Sequence, residues 1–540
     1  MRTKRFQRLS ALCAGAVLVL GAALTGAGGT ASAVGSSGGP RIPSNWPGWQ
    51  KDFIGSRFNP LETQFTATSV ANLHLKWSFV FPDVDGPATS SQPAVVDGTL
   101  YVGSRDAKMY ALDANTGATK WSYDVSAVAG PASSANPNPL RDGPSVSGDK
   151  VVFGDYRGWV YGVDKNTGTL AWATKVSDHP LAALTGSPLI NGNRVYIGVS
   201  SSEAKASADP NYPCCSFRGQ MVSLNLDTGA VVWRYYTVPE SGPLPPGPDG
   251  HPRFGPSGAP VWSSPILDPV HGTLYFGSGN NYTTTTGDAD TVFALNSATG
   301  QVKWKQKMTA ADTWTVGCLL PAPQPHCEGL ADGTNLDYDF GASPNLFYAN
   351  NRLMVGIGQK SGVYHAFDAI TGQVVWQQQV AVPDPNGGFS GIEWGSSYDG
   401  QRLYVATWKA NPGTLFALNP ANGTIIWSKP APANGCSTGG AAAFPANCTP
   451  AYLSAVTSTP GLVYEGATDG KMRIFRSTDG QQVWEYDTVR PYTGVNGPTA
   501  SGGSISGNGG TVVANGMMYV QSGYYSFYGI PGRVLLAFGF

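Results

Sequence analysis

The stretch Tyr110–Trp121, YALDANTGATKW, decides the fold. Alternating apolar residues lead into Asp113, a turn ends at Gly117, and a second extended run delivers Trp121. This is a β-hairpin: the acidic residue caps the turn and the glycine supplies its positive φ. The pattern recurs as YGVDKNTGTLAW ending at Trp172, VSLNLDTGAVVW at Trp233, FALNSATGQVKW at Trp304, HAFDAITGQVVW at Trp376, FALNPANGTIIW at Trp427 and RIFRSTDGQQVW at Trp484. In each copy the glycine lies four residues before the tryptophan.

Upstream of most copies lies another hairpin, as in PAVVDGTLYVG, where Asp97-Gly98 makes the turn. Each unit therefore holds about four short strands. Tryptophan spacings run from 44 residues (Trp77 to Trp121) to 72 (Trp304 to Trp376). A period of roughly 40–50 residues with four strands is the mark of a propeller blade. The longer spacings are loop insertions, gathered mainly between Trp172 and Trp376. The ends close the count. Trp77 in LHLKWSFVF has no preceding Asp–Gly half, and the C-terminal GRVLLAFGF supplies a half with no tryptophan after it. Paired in one sheet, they give an all-β, eight-bladed ring with four-stranded antiparallel blades and no open edge at either end.

The rest of the composition narrows the function. Net charge is −1 and 13% of the 540 residues are charged, with no basic run, which argues against nucleic acid as a partner. Arg2, Lys4, Arg5 and Arg8, an apolar run from about Leu9 to Leu24, and Ala31-Ser32-Ala33 read as a secretory signal over residues 1–33. Residues 34–540 are then a single propeller domain, exported, with no segment that spans a membrane. Six cysteines remain, as expected of a disulfide-bonded exported protein. Proximity points to Cys318–Cys327 and Cys436–Cys448, leaving Cys214 and Cys215 for each other. A bridge between neighbours closes almost no loop and removes little chain entropy, so the pair calls for another role. No C-x-x-C-H attaches a haem, and the six histidines show no metal-ligand spacing.

The A-x-D-x-x-T-G-x-x-x-W signature, unchanged at Ala111–Trp121 and Ala366–Trp376, resembles the tryptophan-docking motif of quinoprotein alcohol dehydrogenases. These are eight-bladed propellers that bind pyrroloquinoline quinone (PQQ) and calcium. NYPCCSFRG, GPSGAPVWSSPILDP, GSGNNY, GQKSGVYHAFD, GGFSGIEWG and VNGPTASGGS narrow the likeness to the polyvinyl-alcohol dehydrogenase branch, without its cytochrome domain.

The resemblance implies a site. The Cys214–Cys215 pair would pack on one face of the quinone and Trp262 would form the opposite wall. Calcium would be held by Glu203, Asn280 (or Asn281 in the alternative register) and Asp339. Asp339, between Tyr338 and Phe340, would be the base that takes the alcohol proton, with Asp337 as the alternative. Lys360 would contact the quinone oxygens. Arg141 and Thr185 are candidate contacts to the PQQ carboxylates, and Trp394 and Asn496 candidate lining residues. The expected reaction is oxidation of secondary or polymeric alcohols, with electrons passed to an external acceptor such as a cytochrome c. The alternative is a non-catalytic propeller serving as a binding or assembly platform.

Overall fold

In the computed structural model, the described residues are 43–84, 91–133, 137–246, 250–321, 324, 326–329, 336–383, 390–408, 412–505, 507, 509–524 and 529–540. The proposed leader, residues 1–33, lies outside them.

Eight antiparallel sheets of at least four strands form among the described residues. Seven run in chain order, over residues 94–124, 145–175, 189–236, 266–307, 345–379, 397–430 and 457–487. The eighth takes Val512–Ala514, Met517–Ser522 and Val534–Gly539 from the C-terminus and adds His74–Val80 as its outermost strand. His74–Val80 pairs antiparallel with Val534–Gly539, so both ends of the ring share a blade, as the unmatched halves at Trp77 and GRVLLAFGF predicted. First strands of neighbouring blades touch, for instance Ala94–Val96 with Ser145–Ser147, and Thr457–Thr459 with Val512–Ala514. They line the hub. Middle strands such as Thr99–Gly103 are covered by blades on both faces, which is why they read as nearly continuous apolar runs.

The repeated tryptophans join one blade to the next. Trp121 Nε1 donates to Lys165 O (3.0 Å), Trp172 to Leu226 O (2.7 Å), Trp304 to Ala369 O (3.0 Å) and Trp427 to Ser477 O (2.9 Å). Each indole lies on the turn glycine of the following blade. Gly117 has φ +73°, and a Cβ there would come within 2.7 Å of Trp77 Cε3. Glycine is required twice at that point, for its backbone and for its missing side chain. A β-bulge between Ala111 and Leu112, repeated in the other copies, turns the tryptophan toward the neighbour. Trp484, last in the series, meets Phe538 of the closing blade edge-on, with ring centroids 5.5 Å apart.

One feature has no signature in the sequence. Residues 46–59 form a strap around the hub, bonded to the first strands of seven blades. Trp46 exchanges two backbone bonds with Val95 (2.7 and 2.8 Å). Pro47 O accepts from Val146 N, Phe53 O from Leu267 N, Ile54 O from Leu346 N, Ser56 O from Tyr398 N and Arg57 O from Ser458 N. Asn59 Nδ2 donates to Val513 O (2.8 Å). Arg57, fully buried, donates to Val456 O, Trp49 O, Gln92 and Thr457, and its guanidinium lies 4.5 Å from the Trp49 ring.

All three disulfides expected from the sequence are present, linking Cys214–Cys215, Cys318–Cys327 and Cys436–Cys448.

Candidate active site

One loop architecture builds the site. The second strand of a blade often ends in glycine, and the loop entering the next blade lays an apolar residue on it. A Cβ on Gly103 would meet Leu140, on Gly154 Leu184, on Gly198 Val261, on Gly277 Phe340, and on Gly358 Ile392. A backbone bond accompanies each contact, such as Leu184 N to Asp155 O (2.9 Å) and Ile392 N to Gln359 O (3.1 Å). The next residue in each loop therefore holds an equivalent position around the ring. These residues are Arg141, Thr185, Trp262, Gly341 and Glu393. A ring of loop residues on a rigid scaffold is where chemistry concentrates.

An aromatic floor spans part of this ring. The Trp262 indole overlies Gly341, where any side chain would collide with it. Trp394 meets Trp262 edge-on at 5.6 Å and 83°. Trp49 of the strap and Trp408 complete the cluster, so the floor rests on the strap. Arg141 Cζ lies 5.5 Å from the Trp394 ring, and its Nη atoms donate to Tyr156 Oη (3.1 Å) and Tyr524 Oη (3.3 Å). Thr185 Oγ1 donates to Trp262 O at 3.5 Å.

Lys360 is the electrostatic centre. Its Nζ donates to Asp337 Oδ1 (2.9 Å) and Asp339 Oδ2 (3.1 Å), and sits 5.1 Å from the Trp262 ring and 6.0 Å from Trp314. Burial works against the ammonium, but Asp337, Asp339 and Glu393 outweigh it and raise its pKa. Burial pushes the Asp337 carboxyl above its ordinary value, with Lys360 opposing the rise and Asp339 adding to it. Burial likewise lifts Glu393 to about 7 against the pull of Lys360 and Arg141.

Asp339 and Asn280 are brought together: Asn280 N donates to Asp339 Oδ1, and Asn280 Nδ2 donates to Trp314 O (2.8 Å). Asn281 is turned elsewhere, with its Nδ2 on Thr286 O. Glu203 opens the short helix Glu203–Ala206, and the chain after the cysteine pair folds back onto it. Its Oε1 accepts from Tyr212 Oη (2.9 Å) and Ser216 N (2.8 Å), and its Oε2 from Phe217 N (2.8 Å). Tyr282 connects the two groups. It is buried, its hydroxyl is 3.3 Å from Ser201 Oγ, and Glu203, Asp339 and Lys360 all act on it electrostatically.

Three expected residues sit differently from the expectation. Cys214 and Cys215 are fully enclosed, packed with Phe217, Tyr282 and Leu184, and present no accessible face toward a slot. What they flank is the Ser216–Phe217 backbone that grips Glu203. Asn496 is exposed on the 491–501 hairpin, with both ends of its amide on the Val80 backbone at the ring's outer edge. Glu393 and Trp314 were not singled out from sequence. Glu393 adjoins Trp394 in a motif already noted, and its equivalence to Arg141 and Trp262 shows only once the loops are superposed on the blade repeat. Trp314 lies in an insertion stapled by Cys318–Cys327 and carries no repeat signal.

Residues 46–319 match the family model described as the β-propeller domain of glucose/ethanol/alcohol dehydrogenases, and residues 359–529 that of the outer membrane protein assembly factor BamB. A polyvinylalcohol dehydrogenase of Pseudomonas sp. is 32% identical over 92% of this chain and 77% of its own length. One from Sphingopyxis sp. (strain 113P3) is 29% identical over 92% and 76%. The fold is shared with the quinohemoprotein alcohol dehydrogenase ADHIIG of Pseudomonas putida HK5, at a TM-score of 0.66 and 19% identity over 92% of this chain and 80% of that one. The chain belongs to the PQQ-dependent alcohol dehydrogenase family.

Proposed function

We propose that the protein is an exported enzyme oxidising secondary or polymeric hydroxyls of the polyvinyl-alcohol type, with calcium at the site and a separate electron acceptor such as a c-type cytochrome. The relatives named above support the substrate class. The disulfides and the leader-like residues 1–33 support export, with residues 34–540 as the propeller domain. No described helix is long and apolar enough to cross a membrane.

The observation that carries the reading is Lys360, held between Asp337 and Asp339 against the Trp262 floor. PQQ is flat and carries three carboxylates, and the residues present suit it. Trp262 and Trp394 offer area, and Arg141 and Lys360 offer positive charge. Arg141 Nε, Trp394 Nε1 and Asp337 Oδ2 are buried without a hydrogen-bond partner among the described residues. Each is a polar atom that a bound ligand would satisfy. Thr185 adds a hydroxyl at the same level.

For calcium, Asp339, Asn280 and Glu203 are the proposed oxygen donors. The Asn280 amide oxygen would be the neutral donor of the set, and the Glu203 carboxylate, gripped by two backbone N–H groups, retains lone-pair capacity. No group of three His, Cys, Asp or Glu forms a metal cluster among the described residues, so the donor set relies on the amide. PQQ, when bound, supplies the acceptor for the alcohol's hydride, with calcium polarising it.

The chain's own part is to orient the alcohol and take its hydroxyl proton. Asp339 suits the second task better than Asp337: its side chain keeps 8% exposure where Asp337 keeps none. Lys360 Nζ donates to its Oδ2 at 3.1 Å and so fixes the carboxylate's orientation. The platform alternative accounts for the blades but not for this buried lysine between two carboxylates.

The test is reconstitution with PQQ and Ca²⁺, followed by dye-linked assays on primary, secondary and polymeric alcohols. Asp339→Asn is expected to bind cofactor and lose turnover. Wild-type turnover by that variant would remove Asp339 as the base.

A further inference from the structure

Beneath the proposed base and metal residues lie two carboxyl groups with no ion-pair partner among the described residues. Asp290 and Asp312 are 0% and 1% exposed, and their carboxyl groups adjoin each other. Both Asp290 oxygens and Asp312 Oδ1 otherwise lack a partner. Two carboxylates cannot stand in contact inside a protein unless one holds a proton. Burial raises both, Asp290 to about 7, and Asp339 adds to the rise in each.

Asp290 O accepts from Met308 N (2.9 Å), and three further bonds of the pair lead to the site. Asp312 Oδ2 accepts from Tyr338 N (2.9 Å), the residue before Asp339. Asp312 O accepts from Asn281 N (3.2 Å), and Asp290 N donates to Gly279 O (3.2 Å), one on each side of Asn280. Asn280 N in turn donates to Asp339 Oδ1. Two chain segments far apart in sequence, 279–281 and 338–339, are thus fixed to one support.

We infer that Asp290 and Asp312, joined through one shared proton, are positioning residues that hold Asn280 and Asp339 in register for cofactor binding and proton abstraction. This rests on the proposed function. It also makes a demand that function does not: the support needs a neutral donor between two acceptors, not two charges. An amide can replace either acid, whereas an apolar group leaves a buried carboxylate unpaired.

The experiment uses the full chain with Asp290→Asn, Asp312→Asn and Asp290→Leu. Three readouts are needed: hydrogen exchange of peptides covering 279–281 and 338–340, tryptophan quenching on titration with PQQ and Ca²⁺, and dye-linked kcat and KM. Both amide variants should keep kcat within about twofold and retain exchange protection, while Asp290→Leu loses protection, binds cofactor more weakly and drops kcat about tenfold or more at unchanged KM. Wild-type kcat and protection in the leucine variant would overturn the inference. So would a tenfold loss in either amide variant, which also decides the matter if the leucine variant does not fold. If the wild-type protein binds cofactor yet oxidises no alcohol, the proposed reaction fails, and exchange and quenching still judge the pair.

Discussion

Lys360 and Asp337 form an ion pair of 2.9 Å with both side chains buried, and the second Asp337 oxygen has no hydrogen bond. Removing the cation leaves Asp337 and Asp339 facing each other with nothing to balance them. Lys360→Met should cost about 3–5 kcal/mol of stability and abolish PQQ binding. Urea unfolding and fluorescence titration measure the two effects. Unchanged stability would mean that the lysine is not the counter-charge for this pair.

Glu393 sets a pH dependence. Its carboxyl is raised by burial from 4.5 to about 7, so the folded protein holds the proton more tightly than the unfolded chain. That contribution is complete below pH 4.5 and is lost as pH rises toward 7. Glu393→Gln mimics the protonated form at every pH. It should gain about 2 kcal/mol more over wild type at pH 8 than at pH 5. Equal gains in melts at the two pH values would show that the group titrates normally.

Two glycines separate backbone cost from packing cost. Gly98 and Gly117 both have φ +73°, but a Cβ on Gly98 meets nothing within 4 Å, whereas one on Gly117 meets Trp77. Gly98→Ala should cost about 1 kcal/mol and Gly117→Ala about 3 kcal/mol. Equal losses in thermal unfolding would mean that the indole yields freely and that blade docking tolerates a methyl group.

The bridges differ by loop length. Cys436–Cys448 spans 12 residues, and replacing both cysteines with serine should cost about 3 kcal/mol through chain entropy. Replacing Cys214 and Cys215 should cost far less by that route. Its effect should appear instead in calcium-dependent PQQ binding, because Ser216 and Phe217 hold Glu203. A stability loss as large as that for Cys436–Cys448 would contradict this division.

The blades were legible because each repeats one local rule, a glycine four residues before a tryptophan, and the closing blade because its halves were visibly unmatched. Lys360, Asp339 and Asn280 were legible through short motifs at strand ends. The strap at 46–59 was not, since main-chain bonds to six blades and one side-chain amide bond to a seventh leave no periodic trace. Nor were Asp290 and Asp312, whose pairing joins two insertions. The enclosure of Cys214–Cys215 also lay beyond the sequence: adjacency says that two sulfurs can bond, not which way the bond faces.

The strap carries a consequence for how the molecule is made. It leaves the ribosome before every blade it binds, yet Asn59 must wait for Val513 before its last bond can form. Trp49, which packs with Trp394 and Trp408, belongs to the same strap. A nascent polypeptide stalled before residue 513 therefore owns most of its blades but no finished hub. The closing blade is what lets the strap complete its circuit of the hub.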